Sequence, residues 1–240
     1  MKDREIDDLL EKAARAPHGV NPELLERVAA SIRPSLQPVR PLPSTRILAA
    51  GLLLICVAVA LVGAARAGFY GVEKMDLFER LLIFGALAAF ALVAAVQFVG
   101  EFIPGSRRRV SPGVLLGLGS VALLGVFGLL FRDYHTDHFV HAGLVCLFAG
   151  VLHAIPAGLL CWWLLRRGFA VNSVAAGFVG GTLAGLAGVT LLELHCVNFQ
   201  ALHVLVWHTA VVPVSAAIGA FVAWALRSRA GHRSSLHVKP

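Results

Sequence analysis

The most chemically varied stretch of this sequence is the segment 194–208, LHCVNFQALHVLVWH, which joins two long apolar runs. It holds His195, His203 and His208, three of the chain's ten histidines, together with Cys196. Imidazole and thiolate are ligands that zinc and copper prefer, and haem iron also takes them. A thiol beside an imidazolium has a lowered pKa and reacts more readily with oxidants and metals. The segment is therefore a candidate sensing or binding site.

A second group of such residues lies where an earlier apolar run begins. His135, His138 and His141 recur every three residues, so on a helix they would share a face and could hold a metal ion. Histidines at a water–lipid boundary are explained equally well as amphipathic interface residues. Cys146 follows about one and a half helical turns beyond His141.

Composition indicates that most of this chain lies in lipid and not in water. Of its 240 residues 58% are hydrophobic and 15% are charged, whereas a soluble domain carries about 25% charged residues. The net charge of +7 does not indicate nucleic-acid binding, because most basic residues lie in short flanks beside apolar runs. We predict an all-α membrane protein.

Six apolar segments have about the 20 residues that a helix needs to cross a bilayer. We place these spans at 46–67, 78–103, 112–131, 141–165, 170–192 and 200–226. The resulting division is a cytoplasmic N-terminal segment at 1–44, a six-helix transmembrane domain at 45–226 and a cytoplasmic tail at 227–240. The fifth span carries Gly177, Gly181 and Gly185 at four-residue intervals, a stripe that favours close helix packing.

The N-terminal segment has its own helical pattern. Leu24, Leu25, Val28 and Ile32 recur at helix period after Asn21-Pro22, which is a typical helix start. A short amphipathic helix cannot bury its apolar face alone, so it would lie on the membrane surface or bind a partner. Four prolines between residues 34 and 43 then predict an extended linker.

The basic residues predict the orientation. With the N-terminus inside, 17 of the 21 lysines and arginines fall on the inner side. This asymmetry places both termini in the cytoplasm and the loops 68–77, 132–140 and 193–199 outside. Cys146, Cys196 and the histidines named above then lie near the outer surface.

The four cysteines have no CxxC spacing and indicate neither a zinc ribbon nor a disulfide framework. Cys56 and Cys161 are predicted to be small packing residues. Cys146 and Cys196 lie at one side of the membrane, where they could form a disulfide, bind a metal such as zinc or copper, or merely pack. No cofactor is required by the pattern.

Catalysis has little support, because the apolar segments contain no Ser/His/Asp grouping, HExxH motif, phosphate loop or carboxylate pair. The chain is predicted not to be an enzyme. An alternative is a metal- or haem-binding membrane protein or transporter, with the ligands His141, His153, His203 and His208.

Four stretches of this sequence together resemble the NrsF-type membrane anti-sigma factors. They are the run Cys161-Trp-Trp-Leu-Leu-Arg-Arg-Gly168, the glycine-rich fifth span, Leu194-His195-Cys196 and Val206-Trp207-His208. Gly143 with Cys146, and the stretch Pro38 to Pro41, are similar as well. Where that family usually places proline after the Leu-His-Cys cysteine, this chain has Val197.

The resemblance implies a function. It implies an inner-membrane protein that holds an extracytoplasmic-function sigma factor inactive through its cytoplasmic N-terminal segment until an external stress is sensed. The family's outward cysteine pair, linked to oxidant or heavy-metal sensing, would map onto Cys146 and Cys196. The bilayer and the sigma factor are then the expected partners, and the oligomeric state stays open.

Overall fold

The structure, a computed structural model, describes residues 11, 22–32, 43–103, 110–136, 138–167, 170 and 172–236. The chain divides into two compact units, Met1–Leu42 and Pro43–Pro240. The first contains helix α1 (Pro22–Ile32). The helices of the second are α2 (Thr45–Ala67), α3 (Tyr70–Lys74), α4 (Leu77–Phe102), α5 (Pro112–Leu130), α6 (Phe139–Arg167), α7 (Ser173–His195), α8 (Ala201–His203) and α9 (Thr209–Leu236). A π-helical turn, Val204–His208, joins α8 to α9, and we refer to these three as the last helix.

Among the residues that the structure describes, six helices are long and apolar enough to cross a membrane, with mean hydropathies from 1.7 to 2.8. The part of the chain that the structure describes contains no strand beyond an isolated bridge between Asp133 and Gln200. The prediction of an all-α, six-helix polytopic protein is confirmed. Two helices extend beyond the predicted spans: α7 continues three residues past 192 to His195, and α9 continues past 226 to Leu236.

Side-chain caps explain where several spans begin. Ser44 and Ser111 accept hydrogen bonds from the backbone N–H groups of Ile47 and Val114, and Pro112 occupies the first turn of α5. The α4 start is a capping box in which Asp76 and Glu79 each bind the other's backbone N–H. Capping residues satisfy N–H groups that have no partner within the helix. They therefore end the polar connections and start the apolar spans at defined residues.

Helix α7 is the centre of the bundle. About 78% of its most apolar window is buried, compared with 17–39% for the other five spans. It packs against α2, α4, α6 and α9. A central helix needs little side-chain volume where its neighbours approach closely, which explains why this span is rich in glycine.

The glycine stripe faces α9, as predicted for close helix packing. A Cβ atom added at Gly177 would lie 2.4 Å from the carbonyl oxygen of Gly219, and one at Gly181 would lie 2.3 Å from that of Ser215. Gly185 meets the backbone of Val212 in the same way. No real side chain fits at such distances, so the backbones of α7 and α9 are in direct contact.

Candidate functional site

One end of the bundle, which we call the cysteine end, is formed by the C-terminus of α7 and the starts of α6 and the last helix. Its two connecting segments are tied together: the Ala201 N–H donates to the Asp133 carbonyl at 2.6 Å. The rings of Phe131 and Phe199 stack with centroids 5.4 Å apart. These contacts fix the first residues of the last helix relative to the end of α5.

Helix α3 closes the cysteine end where the sequence predicts a loop. Gly71 of α3 is so near α7 that an added Cβ would lie 2.8 Å from the carbonyl oxygen of Glu193 and 2.6 Å from that of Cys196. His195 donates from Nδ1 to the Gly68 carbonyl at 3.1 Å, and its ring contacts Tyr70. His195 therefore fastens the end of α2 to the end of α7.

Four of the six residues expected to form the sensor come together; the six are His141, Cys146, His195, Cys196, His203 and His208. Cys146, Cys196, His203 and His208 each place a possible ligand atom within 4.8 Å of the others. The sulfur atoms of Cys146 and Cys196 are 3.7 Å apart, and the sulfur of Cys196 is 3.8 Å from Nε2 of His203. Both histidines are 1% exposed, Cys196 is buried and Cys146 is half-buried. The cluster is a compact thiol–imidazole site with Cys146 as its most accessible member.

The π-helical turn explains why both His203 and His208 reach the cluster. On an α-helix, side chains five residues apart point about 140° away from each other. In a π-helix the bonding runs from i to i+5, so residues five apart lie toward the same side of the helix. The two rings meet edge to face with centroids 5.2 Å apart. On a regular α-helix His208 would point away from the side that carries His203.

A buried carboxylate stands behind the cluster. Glu193 Oε1 accepts a hydrogen bond from Nδ1 of His208 at 2.7 Å, and both residues are 1% exposed. An ionisable residue in an apolar span is costly unless it is paired and more often functional than not. Glu193 was not among the residues that the sequence predicted for the site. Its isolation as the one acidic residue of an apolar span was the signal that could have identified it.

The thiol of Cys196 differs from the expectation of an activated, low-pKa cysteine. The adjacent Cys146 thiol and then burial raise the pKa of Cys196 above its usual range, while His203 and His208 act in the opposite direction. The Cys196 thiol donates to the backbone carbonyl of Asn198, with the sulfur and oxygen atoms 4.0 Å apart. The raised pKa favours the neutral thiol form of Cys196.

The remaining candidate ligands lie apart from the cluster. His135, His138 and His141 are exposed. Helix α6 begins at Phe139, so His135 and His138 lie outside it and the three histidines do not share a helical face. His135 contacts the carboxylate of Asp133, and this contact lowers the pKa of Asp133.

The ligands suggested for a metal-handling or haem-handling alternative do not converge. His153 donates from Nδ1 to the Ala149 carbonyl of its own helix at 2.8 Å. His141 is exposed at the start of α6. Only His203 and His208 of that set belong to the thiol–imidazole site.

The residues predicted to bind the sigma factor belong to the other compact unit. On α1, Leu25 is 55% exposed and Val28 is 45% exposed. The side chains of Leu24 and Ile32 lie outside the described part of the structure. The two apolar side chains that are described are therefore available to a partner.

These features define a polytopic membrane protein of six helices with a buried thiol–imidazole site at one end of the bundle. Residues 34–227 match the family model of NrsF, described as negative regulator of sigma F, and the chain belongs to that family. It is a family of regulators, and its description names a sigma factor as the partner. No curated protein and no solved structure matches the sequence.

Proposed function

We propose that this protein is an inner-membrane anti-sigma factor that sequesters an extracytoplasmic-function sigma factor and releases it when an oxidant or a thiophilic metal reaches the cysteine end. The observation that carries the proposal is the pairing of Cys146 and Cys196, whose sulfur atoms lie 3.7 Å apart although 50 residues separate them in the chain. Two thiols at this distance can respond to one signal together.

The orientation places the signal outside and the response inside. The side of the spans that holds the N-terminus carries 17 of the 21 basic residues, and basic flanks face the cytoplasm. The segment 1–44 and the tail 227–240, which precede and follow the membrane domain 45–226 in the sequence, are then both cytoplasmic. The cysteine end lies on the opposite face, next to the few basic residues of the outer connections, Arg66, Lys74, Arg80 and Arg132.

Helix α1 is the contact for the sigma factor in this proposal. It has an apolar face that includes Leu25 and Val28. Its polar face carries an exposed Arg27–Glu23 ion pair. Such an exposed pair contributes little to the stability of the helix. An 11-residue helix is marginal alone in water. Binding to a partner supplies the apolar surface that such a helix requires.

Release requires that the signal favours one packing of the bundle over another, since a ligand that binds two states equally shifts nothing. Helices α6, α7 and the last helix each contribute to the thiol–imidazole site. Helix α7 also packs closely against both α6 and α9. A change in the site therefore acts on the helices that form the centre of the bundle.

Co-purification tests the proposed sigma contact. Replacing Leu24, Leu25 and Val28 by Asp should release the sigma factor from the full-length protein in detergent, with the membrane spans still inserted because none is altered. The matched control Glu26→Gln, an exposed position on the same helix, should retain it. Wild-type retention by the triple variant would show that the cytoplasmic loops, and not α1, make the contact.

A further inference from the structure

The distances within the thiol–imidazole site resemble those between the ligands of a tetrahedral metal ion. Zn²⁺ binds thiolate sulfur at about 2.3 Å and imidazole nitrogen at about 2.0–2.1 Å. A tetrahedron with those bond lengths has edges of about 3.8 Å between sulfur atoms and about 3.6 Å between sulfur and nitrogen. The observed separations are 3.7 Å between the sulfurs and 3.8 Å from the Cys196 sulfur to His203 Nε2.

The same distances do not suit a formed disulfide. A disulfide requires the sulfur atoms to lie about 2.05 Å apart, so Cys146 and Cys196 are free thiols. All four ligand atoms lie within 4.8 Å of one another. Pairs wider than a tetrahedral edge would therefore need to close by no more than about 1.5 Å to reach the zinc distances.

Glu193 decides which nitrogen of His208 can bind a metal. Its carboxylate accepts a hydrogen bond from Nδ1 of His208 at 2.7 Å. Nε2 of His208 is buried and has no hydrogen-bond partner among the described residues. Metal-binding histidines commonly donate their second ring nitrogen to a carboxylate, which fixes the ring and strengthens the ligand. The buried pair therefore leaves Nε2, and not Nδ1, as the His208 nitrogen available to a metal.

We propose that Cys146, Cys196, His203 and His208 form a closed, four-ligand site for a tetrahedral thiophilic ion of the Zn²⁺ class, with Glu193 as the positioning residue of His208. This inference rests on the proposed function, because it names the ligand of the sensing site. Two sulfur and two nitrogen ligands leave no open position, which is typical of structural and regulatory zinc sites and not of catalytic ones.

Binding of a divalent ion adds no net charge to this buried position. Binding converts both thiols to thiolates, with their two protons released to water, and the two negative charges balance the ion. The histidines remain neutral ligands. The ion also gives a partner to His208 Nε2, which the described protein groups leave unsatisfied. An unpartnered polar atom in the interior costs free energy that coordination recovers.

Cobalt titration of the full-length protein in detergent, after treatment with a chelator, tests the site. Co²⁺ reports thiolate ligation by a sulfur-to-metal charge-transfer band and tetrahedral geometry by intense d–d bands. We expect one equivalent of Co²⁺ per chain with both signatures, displaced by Zn²⁺. Cys146→Ser and Cys196→Ser should each remove about half of the charge-transfer intensity, because one of two thiolates is lost.

Glu193→Ala should weaken Zn²⁺ binding about 10- to 100-fold, as expected when the partner of a metal-binding histidine is removed. Glu193→Gln keeps a hydrogen-bond acceptor and should recover part of that affinity. The controls Cys161→Ser and His153→Ala, at positions outside the site, should leave the cobalt spectrum unchanged. Thermal unfolding of each variant separates loss of the site from loss of the fold.

A folded wild-type protein without a charge-transfer band would overturn the metal site. That result would leave the sigma-binding function intact, because sigma retention is measured separately by co-purification. A wild-type spectrum in Cys146→Ser would also refute the proposed ligand set.

Discussion

The two halves of α7 are buried in contrasting ways. The N-terminal half places Gly177, Gly181 and Gly185 directly against the backbone of α9. The C-terminal half buries a carboxylate, Glu193, beside His208 of the last helix. The first half holds helices in place through close contact, and the second supports the thiol–imidazole site. The comparison shows how one central helix can supply both a rigid frame and a buried polar site.

The largest effect is expected from separating the buried Glu193–His208 pair. His208→Leu leaves the carboxylate without its partner, and removal of one member of a buried pair costs about 3–5 kcal/mol. Unfolding of the purified protein in detergent measures the loss. His153→Leu, which removes a hydrogen bond to a helix carbonyl, should cost about 1 kcal/mol.

A double variant sharpens the same comparison. Glu193→Leu combined with His208→Leu removes both members of the pair and should be less destabilised than His208→Leu alone, since the two effects are not additive. An equal or greater loss in the double variant would mean that the pair is not the source of the destabilisation.

The packed half of α7 should respond to volume. An alanine at Gly181 would place its Cβ 2.3 Å from the Ser215 carbonyl oxygen, and α7 and α9 would have to separate. We expect a loss of about 1–3 kcal/mol, the usual cost of overpacking. Gly117 on α5 has nothing within 4 Å of an added Cβ, so Gly117→Ala should be neutral or stabilise by about 0.5–1 kcal/mol. Equal melting temperatures for both variants would contradict the close contact.

A smaller effect is expected at α3, which lies beside the polar half of α7. Gly71→Ala would place a Cβ 2.6 Å from the Cys196 carbonyl oxygen. Because α3 is short and peripheral it can shift, so the loss of stability should stay below about 1 kcal/mol. Displacement of α3 should let a small alkylating reagent modify Cys196 faster than in the wild type. Gly85→Ala, at an open position on α4, should leave that rate unchanged.

Sequence patterns predicted the frame better than the site, for physical reasons. Apolar length defines a membrane span, so the six spans and the stripe at Gly177, Gly181 and Gly185 were readable. The central position of α7 was not, because it depends on which helices pack together. The cysteine pair was expected from the family resemblance. His203 and His208 were also expected to take part, but their alignment on one side of the last helix was not, because it depends on a π-helical turn that residue periodicity does not report.

Glu193 illustrates the remaining limit. Its partner His208 lies 15 residues away, across the connection between two spans. A predicted loop over 193–199 placed Glu193 in water, whereas α7 continues through it to His195. A three-residue difference in a helix end thus changed a solvated acid into a buried one.

The central claim is that Cys146 and Cys196 act as one sensor. Transcription from a sigma-dependent promoter, measured after exposure to an oxidant or a thiophilic metal, tests it most directly. Cys146→Ser and Cys196→Ser should each abolish the response, and the double variant should behave like either single one. Cys56→Ser and Cys161→Ser, which alter buried packing cysteines, should respond like the wild type. A full response in Cys146→Ser or Cys196→Ser would contradict the account.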